Sequence, residues 1–226
     1  MNDILNNYFS SFLHPWHTQE LLRKRRLYET EVKEPAQLEL VGSEELKPLE
    51  ESVGVNFEQS LTISWLFVVM NGFYVLIGHF MGLVAFEGFS SKGIFLDSFQ
   101  SLLSISAIGF LLLKTVFFPL FFWVYSKFWI NIIKIFSTLF EKDEDVDRVS
   151  EEIVTNAFTT HTFLVIPIFG DLLHRIANLV YLFGGLRKNL GFNTLQAGLV
   201  IVCPLLLFLF ALFMMALSVG MMASGL

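Results

Sequence analysis

The chain has 226 residues, of which 54% are apolar and only 16% are charged, and phenylalanine alone contributes 26. Soluble domains carry about 25% charged residues, so this composition excludes an ordinary soluble domain and predicts an integral membrane protein. The net charge of -6 comes from acids that cluster outside the apolar runs, and an acidic chain argues against nucleic acid as a partner. We therefore expect an all-α fold with one transmembrane domain.

Residues 1–60 predict a cytosolic or interfacial arm. Apolar side chains recur at three- and four-residue spacing between Ile4 and Trp16, as on one face of a helix, and Pro15 interrupts the pattern. A basic cluster follows at residues 23–26, and such a cluster beside an apolar face favours the anionic surface of a bilayer. The amphipathic helix is therefore either an interfacial anchor or a helix that packs on the bundle. The acidic, aperiodic stretch that completes the arm predicts a linker.

Residues 61–226 have room for four to six transmembrane helices, because each span needs about 20 apolar residues. Five is the count that sorts the basic residues to one side of the bilayer. The expected bounds are 61–86, 99–125, 153–168, 171–186 and 194–218. The third and fourth spans are short, so they either tilt little or form a partly re-entrant pair. After Pro119, polar residues at spacings of three and four predict an amphipathic elbow helix at 126–140 that lies in the interface. These residues are Lys127, Asn131, Lys134, Thr138 and Glu141.

The acidic loop at 141–152 has alternating aspartates like those of a calcium-binding EF-hand, but it lacks other residues that calcium needs. Arg148 stands where that loop requires glycine, and Val154 stands where it requires glutamate. We therefore expect a solvated loop, and the sequence indicates no metal site and no cofactor.

Two groups of polar residues fall inside the predicted membrane domain. They are Asn71, Lys114 and His161 in one group and Asp171, His174 and Arg175 in the other. With a rise of about 1.5 Å per residue from the cytoplasmic helix ends, the first group lies roughly 12 to 17 Å deep in the membrane. By this count, we expect no acidic residue at the depth of Lys114. These side chains either satisfy one another's hydrogen-bonding groups inside the bundle or line a proton or ion pathway. The second group is either a functional cluster or a structural pair that closes the hairpin near the outer surface.

The basic residues sort to one side of the bilayer when five crossings are drawn. The cluster at 23–26, the segment 127–148 and the loop at Arg187 and Lys188 then share a side, while Lys92 is the loop charge on the other. Cytoplasmic loops carry the excess of lysine and arginine. This pattern predicts a cytoplasmic N-terminus and an outside C-terminus. An inner (plasma) membrane is the default expectation for an all-helical protein without a signal.

A series of spaced small and apolar residues runs through the second half of the chain, beginning in the stretch 157–167. Its principal positions are Pro167, Gly170, Gly185, Arg187 and Gly191. The series resembles the Yip-one domain family, which comprises five-span membrane proteins named after Ypt/Rab-interacting proteins. Segment 9–18 is similar to the opening of bacterial members, whereas the pairing of Asp171 with Arg175 is atypical. The resemblance implies five helices, a cytosolic N-terminus and an exported C-terminus. For a bacterial-type member, no biochemical activity can be carried over from the family.

These features favour a non-enzymatic membrane protein that organises the bilayer or acts as an interaction scaffold. The sequence has no Ser/His/Asp grouping, no histidine pair at metal-binding spacing and no Gly-rich phosphate loop, which argues against an enzyme. The alternative is a small transporter or channel subunit that uses the polar layer. Expected partners are membrane lipids, with other membrane proteins or a second copy as further candidates, since Gly78 and Gly82 are spaced for close helix contact.

Overall fold

The structure is a computed structural model that describes residues 2–33, 54–89, 94–142 and 145–224, and each element in these ranges is helical. In chain order the elements are α1 Asn2–Leu13, α2 Pro15–Lys33, α3 Phe57–Phe89, α4 Ile94–Leu139, α5 Val146–Ala157, a 3-10 helix Phe158–Val165, α6 Gly170–Lys188 and α7 Thr194–Ser224. The prediction of an all-helical fold is confirmed. Most of the predicted acidic linker lies outside the described residues.

Among the described residues, three helices are long and apolar enough to cross a bilayer. The qualifying segments are Phe57–Gly82, Ile108–Leu139 and Thr194–Val219, which overlap the predicted first, second and fifth spans. They support the prediction of an integral membrane protein. The predicted count of five complete spans is not confirmed, because neither of the stretches at 153–168 and 171–186 is among these long apolar helices.

Those two stretches form a short hairpin of α5, the 3-10 helix and α6. The sequence of α5, VDRVSEEIVTNA, carries too many charges for a span. The backbone then tightens into the 3-10 helix, where threonine hydroxyls bond to carbonyls three residues earlier: Thr159 to Asn156 at 2.8 Å and Thr160 to Ala157 at 2.7 Å. Such local side-chain bonds favour tight, distorted helix over regular α-helix.

The hairpin turns sharply at residues 166–169, just before Gly170. A Cβ atom at Gly170 would lie 2.4 Å from the carbonyl oxygen of Phe163, so only glycine allows this approach. Ile168 adopts a positive φ of 69°, which is strained for a β-branched residue, and 91% of its surface is exposed. The turn therefore presents an apolar tip to its surroundings.

The hairpin reaches only part of the way along α3 and α4. Two hydrogen bonds align the hairpin with α3. Ser60 donates to the Thr155 carbonyl at 3.3 Å, and Asn71, about three turns further along α3, donates to the Leu164 carbonyl at 3.2 Å. Beyond Asn71, α3 continues through residues 72–89, a further length of about 27 Å. The tip therefore ends at an intermediate level of the long helices.

Helix α4 passes through Pro119 without a break, so the predicted division into a span at 99–125 and an elbow at 126–140 is not confirmed. Proline lacks the amide that would bond to the carbonyl of Thr115. The indole Nε1 of Trp65 donates to that carbonyl at 3.0 Å instead, so a neighbouring helix replaces the missing donor. The predicted polar stripe lies on this same helix as far as Thr138, and its last member, Glu141, lies in the turn after the helix ends. Within the stripe, Lys134 pairs with Asp147 of α5.

The N-terminal helices pack on the hairpin. Tyr8 is fully buried and donates to the carbonyl of Thr159 at 3.3 Å, and Tyr181 of α6 donates to the carbonyl of Phe12 at 2.6 Å. The opposite face of α1 leaves Phe9 and other apolar side chains exposed. Of the two alternatives for the amphipathic helix, packing on the bundle is therefore observed, and an apolar face remains outside that contact.

Small residues allow the close packing of α6. A Cβ atom at Gly185 would lie 2.7 Å from the side chain of Ile153, and Gly191, with a φ of 72°, turns the chain away from α6. Arg187 is exposed and lies with its guanidinium 5.9 Å from the ring centre of Phe183. These positions carry the resemblance noted in the sequence, and each glycine has a steric or conformational reason here.

Candidate functional site

Most members of the two predicted polar groups meet in one place, where α4 faces the hairpin, and Asn71 is the exception. The imidazole rings of His161 and His174 have centroids 4.1 Å apart. The hydroxyl oxygen of Thr160 lies 3.0 Å from Nδ1 of His174. The 3-10 helix and the start of α6 thus bring two histidines together that are 13 residues apart in sequence.

The hydrogen bonds of the two rings determine where their protons lie. Nδ1 of His161 is 2.8 Å from the carbonyl of Phe158, which can only accept, so Nδ1 carries the proton. The hydroxyl of Thr160 already donates to Ala157, so its oxygen accepts from Nδ1 of His174. In the neutral rings, Nε2 of each histidine is therefore an acceptor.

Charged side chains border the histidine pair. The carboxylate of Asp171 lies 3.0 Å from the guanidinium of Arg175, one turn further along α6. Its other oxygen lies 4.0 Å from Nζ of Lys114 on α4. All three side chains are partly exposed, with Arg175 the most exposed at 74%.

The expectation that Lys114 has no acid at its level is therefore wrong. Counting inward from helix ends assumed that the hairpin spans the full bilayer, which placed Asp171 near the outer surface. The hairpin stops beside Asn71 instead, so the first turn of α6 lies at the level of Lys114.

Asn71 does not join this cluster. Its side-chain amide bonds to Leu164, on the face of the hairpin that contacts α3. The predicted layer of Asn71, Lys114 and His161 is thus divided, because α3 and α4 flank different faces of the hairpin.

An aromatic cleft of about 700 Å³ opens beside the charged cluster. Its volume falls within the range of small-molecule sites. One wall consists of α4 side chains at helical spacing, and the other consists of the polar groups of the hairpin. The lining residues include Phe118, Phe121, Phe122, Val124, Tyr125, Phe128, His161, Asp171, His174, Arg175 and Asn178.

The aromatic wall and its polar anchor were not predicted from the sequence. Tyr125 donates its hydroxyl to the Asn178 side-chain oxygen at 3.5 Å, and the amide of Asn178 donates to Ala157 at 3.5 Å. The available signal was the spacing of Phe118, Phe122 and Tyr125 at positions i, i+4 and i+7. In an apolar helix that spacing does not stand out, because the other faces are aromatic as well.

A second polar cluster fixes the N-terminal helices to the other end of the hairpin. Arg26, whose side chain is only 10% exposed, pairs with Glu152 of α5 and donates to the carbonyl of Asn189 at 3.2 Å. Arg148 donates to Glu29 at 2.8 Å, which raises the pKa of the guanidinium and lowers the pKa of the carboxyl. The predicted basic cluster is therefore partly a structural contact between α2 and α5.

The described part of the chain holds no group of three metal-ligating side chains in a metal-binding arrangement. No family model, curated protein or solved structure matches the chain.

Proposed function

We propose that this chain is a non-enzymatic integral membrane protein that organises the bilayer or binds partners there. In this proposal α3, α4 and α7 cross the membrane, and the hairpin of α5, the 3-10 helix and α6 enters part-way and returns to the same face. The observation that carries the proposal is the end of the hairpin beside Asn71, with an exposed apolar tip at Ile168. A strained apolar turn is more stable in acyl chains than in water.

A part-inserted hairpin preserves the proposed sidedness. A hairpin that leaves by the face it entered adds no net crossing, just as two complete spans add none. The cluster at 23–26, Arg148 and Arg187 therefore remain on the cytoplasmic side, and the C-terminus lies outside, in an inner membrane. Contacts of Arg26 with Glu152 and of Lys142 with the Gly191 carbonyl join these segments at one end, which supports a common side.

The relation to the Yip-one family is part of this proposal. Gly170 permits the tight turn and Gly185 permits α6 to pack on α5, so two positions of the resemblance have structural roles. Candidate partners are membrane lipids, other membrane proteins or a second copy. Within the described residues, no atom lies within 4 Å of a Cβ built at Gly78 or Gly82, so this glycine face is open for close contact with another helix.

A small transporter or channel subunit is the second candidate. The observation that favours it is the cluster of Lys114, Asp171 and His174 at an intermediate level of the long helices, beside a cleft. Intramembrane ionisable groups mark many proton and ion pathways. Proton or ion flux into liposomes that falls on changing Lys114→Gln would favour this function over an organising one.

The arrangement is tested by labelling single cysteines with a membrane-impermeant thiol reagent, in a Cys203→Ser background. The exposed positions His17 and Lys188 report on the cytoplasmic end, and Ile168 reports on the tip. We expect the first two to react only from the cytoplasmic side and Ile168→Cys to be protected from both sides. Reaction of Ile168→Cys from outside would establish five complete crossings, and reaction of the first two from opposite sides would overturn the proposed sidedness.

A further inference from the structure

We propose that this chain is wedge-shaped and concentrates on membranes whose cytoplasmic face is convex, because α1 and the hairpin widen only one half of the bundle. The inference rests on the proposed part-way insertion of the hairpin and deepens the proposed function, since it states how the chain organises the bilayer. The hairpin half denotes the levels of the long helices that lie beside α1 and the hairpin, and the far half denotes the rest.

The packed core lies in the hairpin half. Among the described residues, the last buried apolar side chain of α3 is Val68, and the first of α4 is Phe118. In the described part of α7, Ala197 and Val200 near its start are the buried apolar residues. In the far half the same helices expose large apolar side chains, among them Phe73, Ile77, Phe80, Phe110, Leu205 and Phe208. The long helices therefore have few close neighbours there.

Helix α1 lies at the level of the hairpin. The ring of Tyr8 packs on Phe67 of α3 with centroids 6.1 Å apart, and Phe67 lies ten residues, or about 15 Å, after the start of α3. The carbonyl of Phe12 accepts from Tyr181, which lies seven residues, or about 10 Å, before the end of α6. Both contacts place α1 below the ends of its neighbours, at a depth where amphipathic helices enter the boundary between headgroups and acyl chains.

The free face of α1 suits that depth. Leu5, Phe9 and Leu13 recur at every fourth position and are 39%, 39% and 65% exposed. Tyr8 and Phe12 hold the other side of the helix against the hairpin. Contact of the free face with acyl chains removes apolar surface from water, so the lipid of the cytoplasmic leaflet is its occupant.

The two halves consequently differ in cross-section. Of the described helices, only α3, α4 and α7 continue into the far half. A helix with its side chains is about 10–12 Å across, so the two arms of the hairpin add roughly 200 Å² to the hairpin half, and α1 adds more. Extra area in one leaflet is accommodated best where that leaflet is on the outside of a curve, so the chain favours a convex cytoplasmic face.

Sorting into membrane tubes pulled outward from giant vesicles tests this shape. In the Cys203→Ser background, an impermeant dye on the exposed position Lys188→Cys labels only molecules whose hairpin half faces outward. The matched control is Ser224→Cys at the end of α7, which labels molecules in the opposite orientation. The measured quantity is the ratio of protein to lipid fluorescence in the tube, divided by the same ratio in the vesicle.

We expect the Lys188→Cys label to be enriched at least about twofold in the tube, increasingly so as the tube narrows, and the Ser224→Cys label to be depleted. Equal sorting of the two orientations would overturn the wedge. A second copy packed on the far halves would equalise the two areas and would give that result.

A pair of variants tests the contribution of α1. Leu5→Gln combined with Phe9→Gln makes the free face polar without altering the side chains that contact the hairpin, so it should reduce the enrichment by about half. Leu5→Met combined with Phe9→Leu keeps the face apolar and should retain the enrichment. Full enrichment of the glutamine variant would overturn the placement of α1 in lipid. Because the cysteine labelling of Ile168→Cys is independent of curvature, a protected tip with equal sorting refutes the wedge and leaves the membrane arrangement intact.

Discussion

Replacing Gly170 with alanine tests the construction of the hairpin turn. The new Cβ atom would lie 2.4 Å from the carbonyl oxygen of Phe163 and 3.0 Å from Cα of Leu164. Ordinary contact begins near 3.4 Å, so the 3-10 helix and α6 must separate by about 1 Å. Both clashing atoms are backbone, so no side-chain rotation relieves the contact.

The separation strains two bonds of the turn, from the Gly170 amide to Ile166 at 3.0 Å and from the Ile166 amide to Phe163 at 2.9 Å. Overpacking costs about 1–3 kcal/mol, and a weakened hydrogen bond adds about 1 kcal/mol, so we expect a loss of about 3 kcal/mol in the free energy of unfolding. Reversible unfolding in mixed detergent micelles, followed by tryptophan fluorescence, measures this loss.

Gly198→Ala is the matched control. It makes the same chemical change in α7, where no described atom lies within 4 Å of the added Cβ. Alanine favours helix over glycine, so this variant should be unchanged or more stable by up to about 1 kcal/mol. Equal free energies of unfolding for the two variants would refute the close approach at Gly170.

Three further changes test the contacts of the N-terminal helices. Glu152→Gln removes a carboxylate that pairs with the buried Arg26 and should destabilise the fold by about 2 kcal/mol, whereas Glu20→Gln, in an exposed pair, should change little in the same unfolding assay. Tyr8→Phe removes a buried donor and should lower the free energy of unfolding by about 1 kcal/mol, a prediction that unaltered stability would contradict. Because the pKa of Glu29 is lowered in the folded chain, its stabilising effect is complete above the ordinary carboxyl pKa of 4.5 and is lost as pH falls through the lowered value. The stability difference between the native chain and Glu29→Gln should therefore be constant above pH 4.5 and shrink below it; a difference that grows in acid would show the opposite sign.

Apolar periodicity and length predicted the long helices well. The apolar segments that form α3 and α7 exceed the length of a span and contain few charges, so their sequence alone predicts transmembrane helices. The start of α6 was also predictable, since Gly170 and Asp171 follow Pro167. Local sequence is sufficient for these features because each is determined within one segment.

The levels of the helices relative to one another were not predictable. Counting residues from helix ends assumes that all spans begin in one plane and cross completely. Contacts between distant residues, such as Asn71 with Leu164, determine where the hairpin ends. The partner of Lys114 was missed for this reason.

The continuity of α4 depended on a partner outside its own sequence. Pro119, read locally, predicts a division of this helix, whereas α4 continues through it and the Trp65 indole donates to the carbonyl that proline leaves without a donor. Similarly, the basic residues at 23–26 suggested lipid contact, and the position of Glu152 makes Arg26 a buried structural contact instead.

The central claim is that the hairpin tip lies within the bilayer, between one surface and the midplane. A spin label at Ile168→Cys, in the Cys203→Ser background and in reconstituted bilayers, measures this depth through its relative collision rates with lipid-soluble oxygen and a water-soluble nickel complex. The account predicts frequent collisions with oxygen and few with nickel, at a depth short of the midplane. Frequent collisions with nickel, which place the label in water on either side, would contradict it.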